Sequence, residues 1–185
     1  MLNSYTNFFN LFSIEQKFSI DHKEVLKIHE ELLDKFHPDR FVTKSKIEKN
    51  VALKLSTQIN DAYEVLLDPV KRAIHLCYLN GFEIDQGKSN FVDPDSLEMQ
   101  MNLREELSDL TIDKRKIEKN LSRINHLESK SKKIYNSCLD KLKSLLDNID
   151  TFDDKKKQEI QNQINILNFS INFCSQVSEL KKDIL

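Results

Sequence analysis

The sequence is short of the residues that turn a chain. Its 185 residues hold two glycines, three prolines and no tryptophan, so turns are few and the elements between them are long. No segment keeps a period-two alternation bounded by turn residues, which argues against a sheet. There is no glycine-rich loop and no oxyanion-type turn, and no nucleophile stands with a base and an orienting third group, so nucleophilic catalysis finds no support. No apolar run approaches transmembrane length. The start, Met1-Leu2-Asn3-Ser4-Tyr5-Thr6, has neither the basic opening of a signal peptide nor the arginines of a transit peptide, so a soluble intracellular chain is expected. Cys77, Cys138 and Cys174 are odd in number, far apart and without a CxxC pair. Each falls on or beside an apolar stripe, and they read as reduced thiols in a reducing compartment. His22, His29, His75 and His126 make no HxxxH or Cys/His spacing, so no metal site and no cofactor are expected and these four read as surface histidines.

What the chain has is charge and helical periodicity. Charged residues make up 31% and apolar residues 39%, as in helical bundles with solvated outer faces. Residues 81–112 carry 8 acidic and 2 basic side chains, and residues 113–143 carry 4 acidic and 10 basic. An acidic segment followed by a basic one reads as two helices packed side by side with complementary flanks.

Taken in order, residues 5–18 form a short aromatic helix and turn. A second helix starts at Asp21, with Glu24 completing a capping box and Ile20 and Val25 a hydrophobic staple. Its stripe is Val25, Ile28, Leu32 and Phe36, with Leu26 and Leu33 alongside. Pro38 ends it, because proline fixes its own φ and pushes His37 out of the helical region. A third helix starts between Thr43 and Ile47 and runs to Leu67, on a face of Val51, Leu55, Ile59, Ala62 and Leu66. The short connector predicts an antiparallel pair. Asp68-Pro69 starts a fourth helix, which Asn80-Gly81 closes. Residues 83–93 read as a linker. Asp95 and Glu98 suggest the next cap, followed by Leu97, Met101, Leu103, Leu107 and Leu110. A long helix from about Asp113 to Leu146 carries Ile117, Leu121, Ile124, Tyr135, Cys138, Leu142 and Leu145 on a four-three repeat, interrupted by Glu128 and Ser131. The last helix, from about Asp153, has two adjacent apolar stripes. One holds Ile160, Ile164, Leu167, Ile171 and Cys174, the other Ile166, Phe169, Phe173, Val177 and Leu180. That face is wider than one neighbour needs. The architecture expected is all-α: a helical hairpin with short flanking helices in residues 1–82, and a three-helix bundle in residues 94–185.

The stretch Phe36-His37-Pro38-Asp39-Arg40-Phe41 is a stiff polar tip between two apolar anchors, with no packing role to explain it. A helix ending in a basic residue and an aromatic, then His-Pro-Asp, then an antiparallel helix, resembles the J-domain of the DnaJ class. Gln58-Ile59-Asn60-Asp61-Ala62-Tyr63-Glu64-Val65-Leu66, Asp68-Pro69 and Arg72-Ala73 are similar to that domain's third and fourth helices. The order of this module, Leu79-Asn80-Gly81-Phe82 and Leu103-Arg104-Glu105-Glu106-Leu107 resembles the HscB family, J-type co-chaperones of iron–sulfur cluster assembly.

The resemblance implies a two-partner, non-enzymatic role. His37, Pro38 and Asp39 would stimulate ATP hydrolysis by a DnaK- or HscA-type chaperone, with Lys35, Arg40, Lys27 and Lys23 supplying positive charge. Leu97, Met101, Arg104, Glu105 and Phe169 would hold an IscU-type scaffold protein. Only Lys35 keeps the basic character that general J-domains show before the loop, opposed by Glu30, Glu31 and Asp34, which points to a dedicated chaperone. Glu98 and Asn102 depart from the family pattern. The cysteine-rich leader of animal mitochondrial forms is not seen, so a bacterial cytoplasmic monomer is expected, without membrane or nucleic-acid partners. The alternative is a helical protein that binds nucleic acid through Lys114, Arg115, Lys116, Lys119, Arg123, Lys130, Lys132 and Lys133, although these spread around several faces.

Overall fold

The computed structural model describes residues 7–84, 93–110, 117–147 and 153–184. Its elements are α1 (Phe8–Leu11), α2 (His22–Phe36), a 3-10 turn (Pro38–Phe41), α3 (Lys46–Leu67), α4 (Pro69–Leu79), α5 (Pro94–Ser108), α6 (Ile117–Leu146) and α7 (Asp154–Ile184). No strand occurs among the described residues. The chain divides into two compact units, Met1–Glu83 and Ile84–Leu185. Most of the expected linker, and the segment holding Asp113, lie outside the described residues.

In the first unit, α2 and α3 pack along each other and α4 packs on α3. The core is Phe8, Phe9, Phe12, Phe18, Val25, Ile59, Ala62, Val65, Leu66, Ala73, Leu76 and Cys77. Local chemistry sets the helix ends. Asp21 caps α2 by accepting the Lys23 amide at 2.8 Å. A reciprocal capping box forms at Ser45 and Glu48 instead, where the Glu48 carboxylate accepts the Ser45 amide at 3.0 Å. Asp68 accepts the Val70 and Lys71 amides at 2.8 and 3.0 Å, and Pro69 fills the first helical position without wasting a donor. At the end of α4 the Gly81 amide donates to Tyr78 and the Phe82 amide to Cys77, a Schellman closure in which Gly81 takes φ +75°.

The same closure ends α1, with Ser13 donating to Asn10 and Ile14 to Phe9. Here a serine occupies the left-handed position, at φ 54°. A Cβ there costs about 1–2 kcal/mol. Ser13→Gly is therefore expected to stabilise the first unit by about 1 kcal/mol, net of the greater freedom of glycine in the unfolded chain. A urea midpoint that falls would refute this.

One sequence expectation for α3 is corrected. Val51 is 51% exposed and Ile47 76% exposed, while Ala52 and Ser56 are buried. Small side chains take the inward positions in the half nearest the connector, where they let the paired helices approach. The Ser56 hydroxyl donates to the Leu53 carbonyl at 3.0 Å and so costs no unpaired group. The core face thus runs Ala52, Ser56, Ile59, Ala62 and Leu66 rather than starting at Val51 and Leu55.

His75 is not a surface histidine. Its ring stacks on Phe8 at 4.6 Å and lies beside Phe9 at 5.9 Å, and its Nε2 accepts the Phe8 amide at 3.3 Å. Only the neutral ring can accept there, and burial pushes its pKa below 6.5. The folded state therefore binds fewer protons than the unfolded one. Stability is fully present above pH 6.5 and falls as pH drops from there toward the depressed value. His75→Gln keeps an acceptor but does not titrate. The urea midpoint of the wild type is expected to fall more between pH 8 and pH 5 than that of the variant; equal falls would remove this account.

In the second unit α6 and α7 form the main pairing, and α5 packs on both. Asp93, not Asp95, caps α5, accepting the Ser96 amide and hydroxyl at 3.2 and 2.7 Å. Pro94 stands at the first helical position, repeating the logic of Asp68-Pro69. Leu103, Leu110, Ile124, Leu127, Phe173 and Val177 form a core cluster. Leu127 joins the α6 seam, and Ser131 does not interrupt it. Ser131 is buried, donates to the Glu128 carbonyl at 3.0 Å and accepts from Cys174 Sγ at 3.2 Å. Gln161, Gln163 and Ser170 are also buried on α7.

The acidic and basic flanks meet as charge patterning suggested. Lys130 of α6 pairs with Glu106 of α5 at 2.6 Å. Glu128 bridges Lys132 at 2.7 Å and Lys181 of α7 at 2.8 Å, and their hydrogen bonds hold its carboxyl down to about 2. Cys77 and Cys138 are buried thiols, pushed up to about 12 and about 11 by desolvation, while Cys174 is half-buried.

Candidate functional site

The connector between α2 and α3 is built by His37 and Pro38 together. Pro38 opens the 3-10 turn at its first position, and His37 caps it. The Asp39 amide donates to His37 Nδ1 at 3.3 Å. The Asp39 carboxylate is 3.6 Å from the same nitrogen, too long for a hydrogen bond. The two contacts demand opposite states of Nδ1, and the shorter one decides: Nδ1 is an acceptor, and the neutral ring presents its Nε2–H outward. The side chains of His37 and Asp39 are 52% and 86% exposed. Phe36 and Phe41 are half-buried on either side. The tip is thus a short, cross-braced turn that displays one imidazole and one carboxylate.

The basic residues around it differ in freedom. Arg40 is spent on the end of α2, pairing with the Asp34 carboxylate at 2.8 Å and donating to its carbonyl. Lys27 lies 3.9 Å from Glu31. Lys23 and Lys35 are exposed without a partner among the described residues. Sequence reasoning missed an apolar flank beside the tip. Val42 is 62% exposed, and Ile47 and Val51 stand one helical turn apart on α3. The signal was present in the i, i+4 spacing of Ile47 and Val51, which reads equally well as core.

In the second unit Leu97, Met101 and Glu105 recur every fourth residue and share one exposed face of α5. Leu97 and Met101, 47% and 61% exposed, are the two exposed large hydrophobics among the described residues of this unit. The Arg104 guanidinium lies over the Phe169 ring at 5.4 Å, and Phe169 stacks on Phe173 at 5.6 Å. Four of the five expected residues come from α5, and α7 brings Phe169 to them through Arg104. Asn162 of α7 also donates to the Ser96 hydroxyl at 3.4 Å.

Of the basic residues in the nucleic-acid alternative, Lys130 and Lys132 are committed to Glu106 and Glu128, and Lys114, Arg115 and Lys116 lie outside the described residues. No cluster of three or more His, Cys, Asp or Glu side chains that could hold a metal occurs among the described residues. No helix among them is long and apolar enough to cross a membrane.

No protein-family model matches the chain. Curated relatives do. The chain is 41% identical over 104 residues to the co-chaperone protein HscB homolog of Vibrio vulnificus, and 37% identical over 103 residues to that of Pseudoalteromonas atlantica. These matches cover 56% of this chain, and the chain spans 61% and 59% of the two relatives. Among solved structures, the chaperone HscB from Vibrio cholerae superposes with a TM-score of 0.82 at 29% identity, over 97% of this chain and all of that one. The chain is similar to the HscB co-chaperones. Human HscB also superposes, with a TM-score of 0.81 at 25% identity, over 98% of this chain and 84% of that one. The likeness in fold therefore extends to both units, beyond the stretch matched in sequence, and the J-domain architecture expected from the His-Pro-Asp motif is the one found.

Proposed function

We propose that this chain is a co-chaperone of iron–sulfur cluster assembly with two docking sites and no chemistry of its own. The tip His37-Pro38-Asp39 stimulates ATP hydrolysis by an HscA- or DnaK-type chaperone. Its exposure at the end of an antiparallel hairpin, in a chain similar to HscB, is the observation that carries this reading. The tip is rigid enough to bind one state of a cycling partner better than another, which is what shifting a two-state equilibrium requires. Lys23, Lys27 and Lys35 add attraction, and Val42, Ile47 and Val51 add apolar contact area next to the turn. Arg40 acts from within, by holding the end of α2.

The second site is Leu97, Met101, Arg104, Glu105 and Phe169, for an IscU-type scaffold protein. Two exposed apolar side chains beside charged neighbours make a small hot spot with a polar rim. ATP turnover by the chaperone is expected to rise several-fold when the chain and the scaffold are added. Changing Leu97, Met101 and Phe169 together to Ala is expected to weaken scaffold binding by more than about tenfold and to remove a small cysteine-containing protein from a cytosol pull-down. Retention of that protein on the variant would show the wrong face has been chosen; no change in ATP turnover would overturn the reading of the tip.

A further inference from the structure

Beside the apolar pair of α5 lies a cavity of about 230 Å³ in the second unit, lined by Gln100 and Arg104 of α5 and by Asn165, Asn168, Asn172 and Gln176 of α7. Phe169 and Phe173 complete the lining. Its polar side chains are five neutral amides and one guanidinium, with no carboxylate among them. Asn165 already accepts from Gln161 at 3.2 Å, which commits its oxygen and leaves its NH2 to donate. Gln100, Asn168, Asn172 and Gln176 have no hydrogen-bond partner among the described residues. Asparagine is a poor helix former, and this row of amides does nothing for the helix that carries it.

The spacing suits one kind of ligand. The four α7 amides follow at steps of three, four and four residues. At 1.5 Å per residue they cover roughly 16 Å, and each four-residue step advances about 6 Å. An extended chain repeats the direction of its peptide groups every second residue, about 6.6 Å. Asn168, Asn172 and Gln176 therefore stay close to register with alternate peptide groups of an extended segment, and Asn165, about 4.5 Å before Asn168, falls between two of them, the whole row spanning about five residues. Side-chain amides carry both donors and acceptors and satisfy main-chain groups of either polarity. The single guanidinium, without a carboxylate opposite it, selects an acidic side chain. A nucleic acid asks for a row of cations along its phosphates, and the groove has one.

We propose that this groove binds an extended segment of the scaffold protein, about five residues long and bearing a carboxylate. The amide ladder Asn165, Asn168, Asn172 and Gln176 reads its main chain, and Arg104 receives the acid. This rests on the scaffold-docking reading above and adds to it a peptide-reading strip, distinct from the apolar contacts of Leu97 and Met101.

The test is calorimetric titration of the purified IscU-type scaffold from the same organism into the full chain and its variants. Asn168→Ala with Asn172→Ala is expected to weaken binding by about tenfold or more, as for the loss of two hydrogen bonds. Alanine favours the helix, so unfolding does not produce that loss. Overlapping peptides tiled along the scaffold locate the segment; replacing its Asp or Glu by the amide is expected to weaken the wild type and leave Arg104→Gln unaffected. If the double variant binds as wild type while Leu97→Ala with Met101→Ala loses the scaffold, the ladder is wrong and the docking reading stands. If the scaffold binds neither wild type nor variant, the docking reading fails and takes the ladder with it. A bound segment without a carboxylate overturns the role given to Arg104.

Discussion

Replacing His37 by glutamine is expected to abolish stimulation of the chaperone's ATPase and to leave the chain folded. The imidazole does two things at once. Its Nδ1 braces the Asp39 amide at 3.3 Å, and its flat ring holds Nε2–H at a fixed place on the surface. Glutamine offers an oxygen that can accept the same amide, but it does so on a flexible stem and cannot hold a donor rigidly on the far side. The cost to stability is expected to stay within about 1 kcal/mol, as for an exposed residue making one weak local bond. The side chain is 52% exposed. ATP turnover measured with saturating chain should fall to the chaperone's basal rate, with the circular dichroism spectrum and scaffold affinity unchanged. A variant that stimulates like the wild type would remove the handle on which the proposed function depends. A variant that fails to stimulate because it has unfolded would show itself in the spectrum.

The second large effect is at Phe173. It is 1% exposed and sits among Leu103, Leu110, Ile124, Leu127 and Val177, so it ties all three helices of the second unit. It also backs Phe169, whose ring carries Arg104. Phe173→Ala removes a buried ring and leaves a cavity, which costs about 3–5 kcal/mol. That is a large share of the roughly 5–15 kcal/mol that holds a domain together. Hydrogen exchange should report it as lost protection across α6 and α7, and scaffold binding should weaken because Phe169 and Arg104 lose their support. Phe173→Leu is expected to recover most of the protection, since it refills much of the volume. Undiminished protection in the alanine variant would mean that the core cluster is not where the second unit's stability resides.

These expectations differ in how visible they were from the sequence. Breaks set by single residues were legible. Pro38 ends α2 at Phe36, Asp68-Pro69 starts α4, and Asn80-Gly81 closes it, because each acts on its own backbone. The His-Pro-Asp tip was legible as a motif, and its exposure followed from having no packing role.

Facing was harder. Val51 and Ala52 both sit on plausible stripes of α3, and which one turns inward depends on how closely the paired helix approaches. Ser131 reads as a break in the α6 seam until its hydroxyl finds Glu128 and Cys174. The Asp93 cap lost to Asp95 in the sequence because Asp95 has an acid three residues on, yet Pro94 already fixes the first helical position. The left-handed Ser13 carries no sequence signal, since glycine or asparagine is the usual occupant. The groove was invisible because its residues come from two helices separated by more than fifty positions, and an asparagine on a helix looks like any solvated side chain until its neighbours are known.

The thiols have a practical consequence. Cys77 and Cys138 are sealed in their cores with the nucleophilic thiolate suppressed, whereas Cys174 opens partly to solvent on α7, directly after Phe173. Cys174 Sγ also rests against the buried Ser131, so a maleimide dye is expected to mark Cys174 ahead of the other two thiols rather than instantly. A fluorophore there, a step away from the aromatic pair under Arg104, turns the native chain into its own optical reporter of whatever settles on that helix.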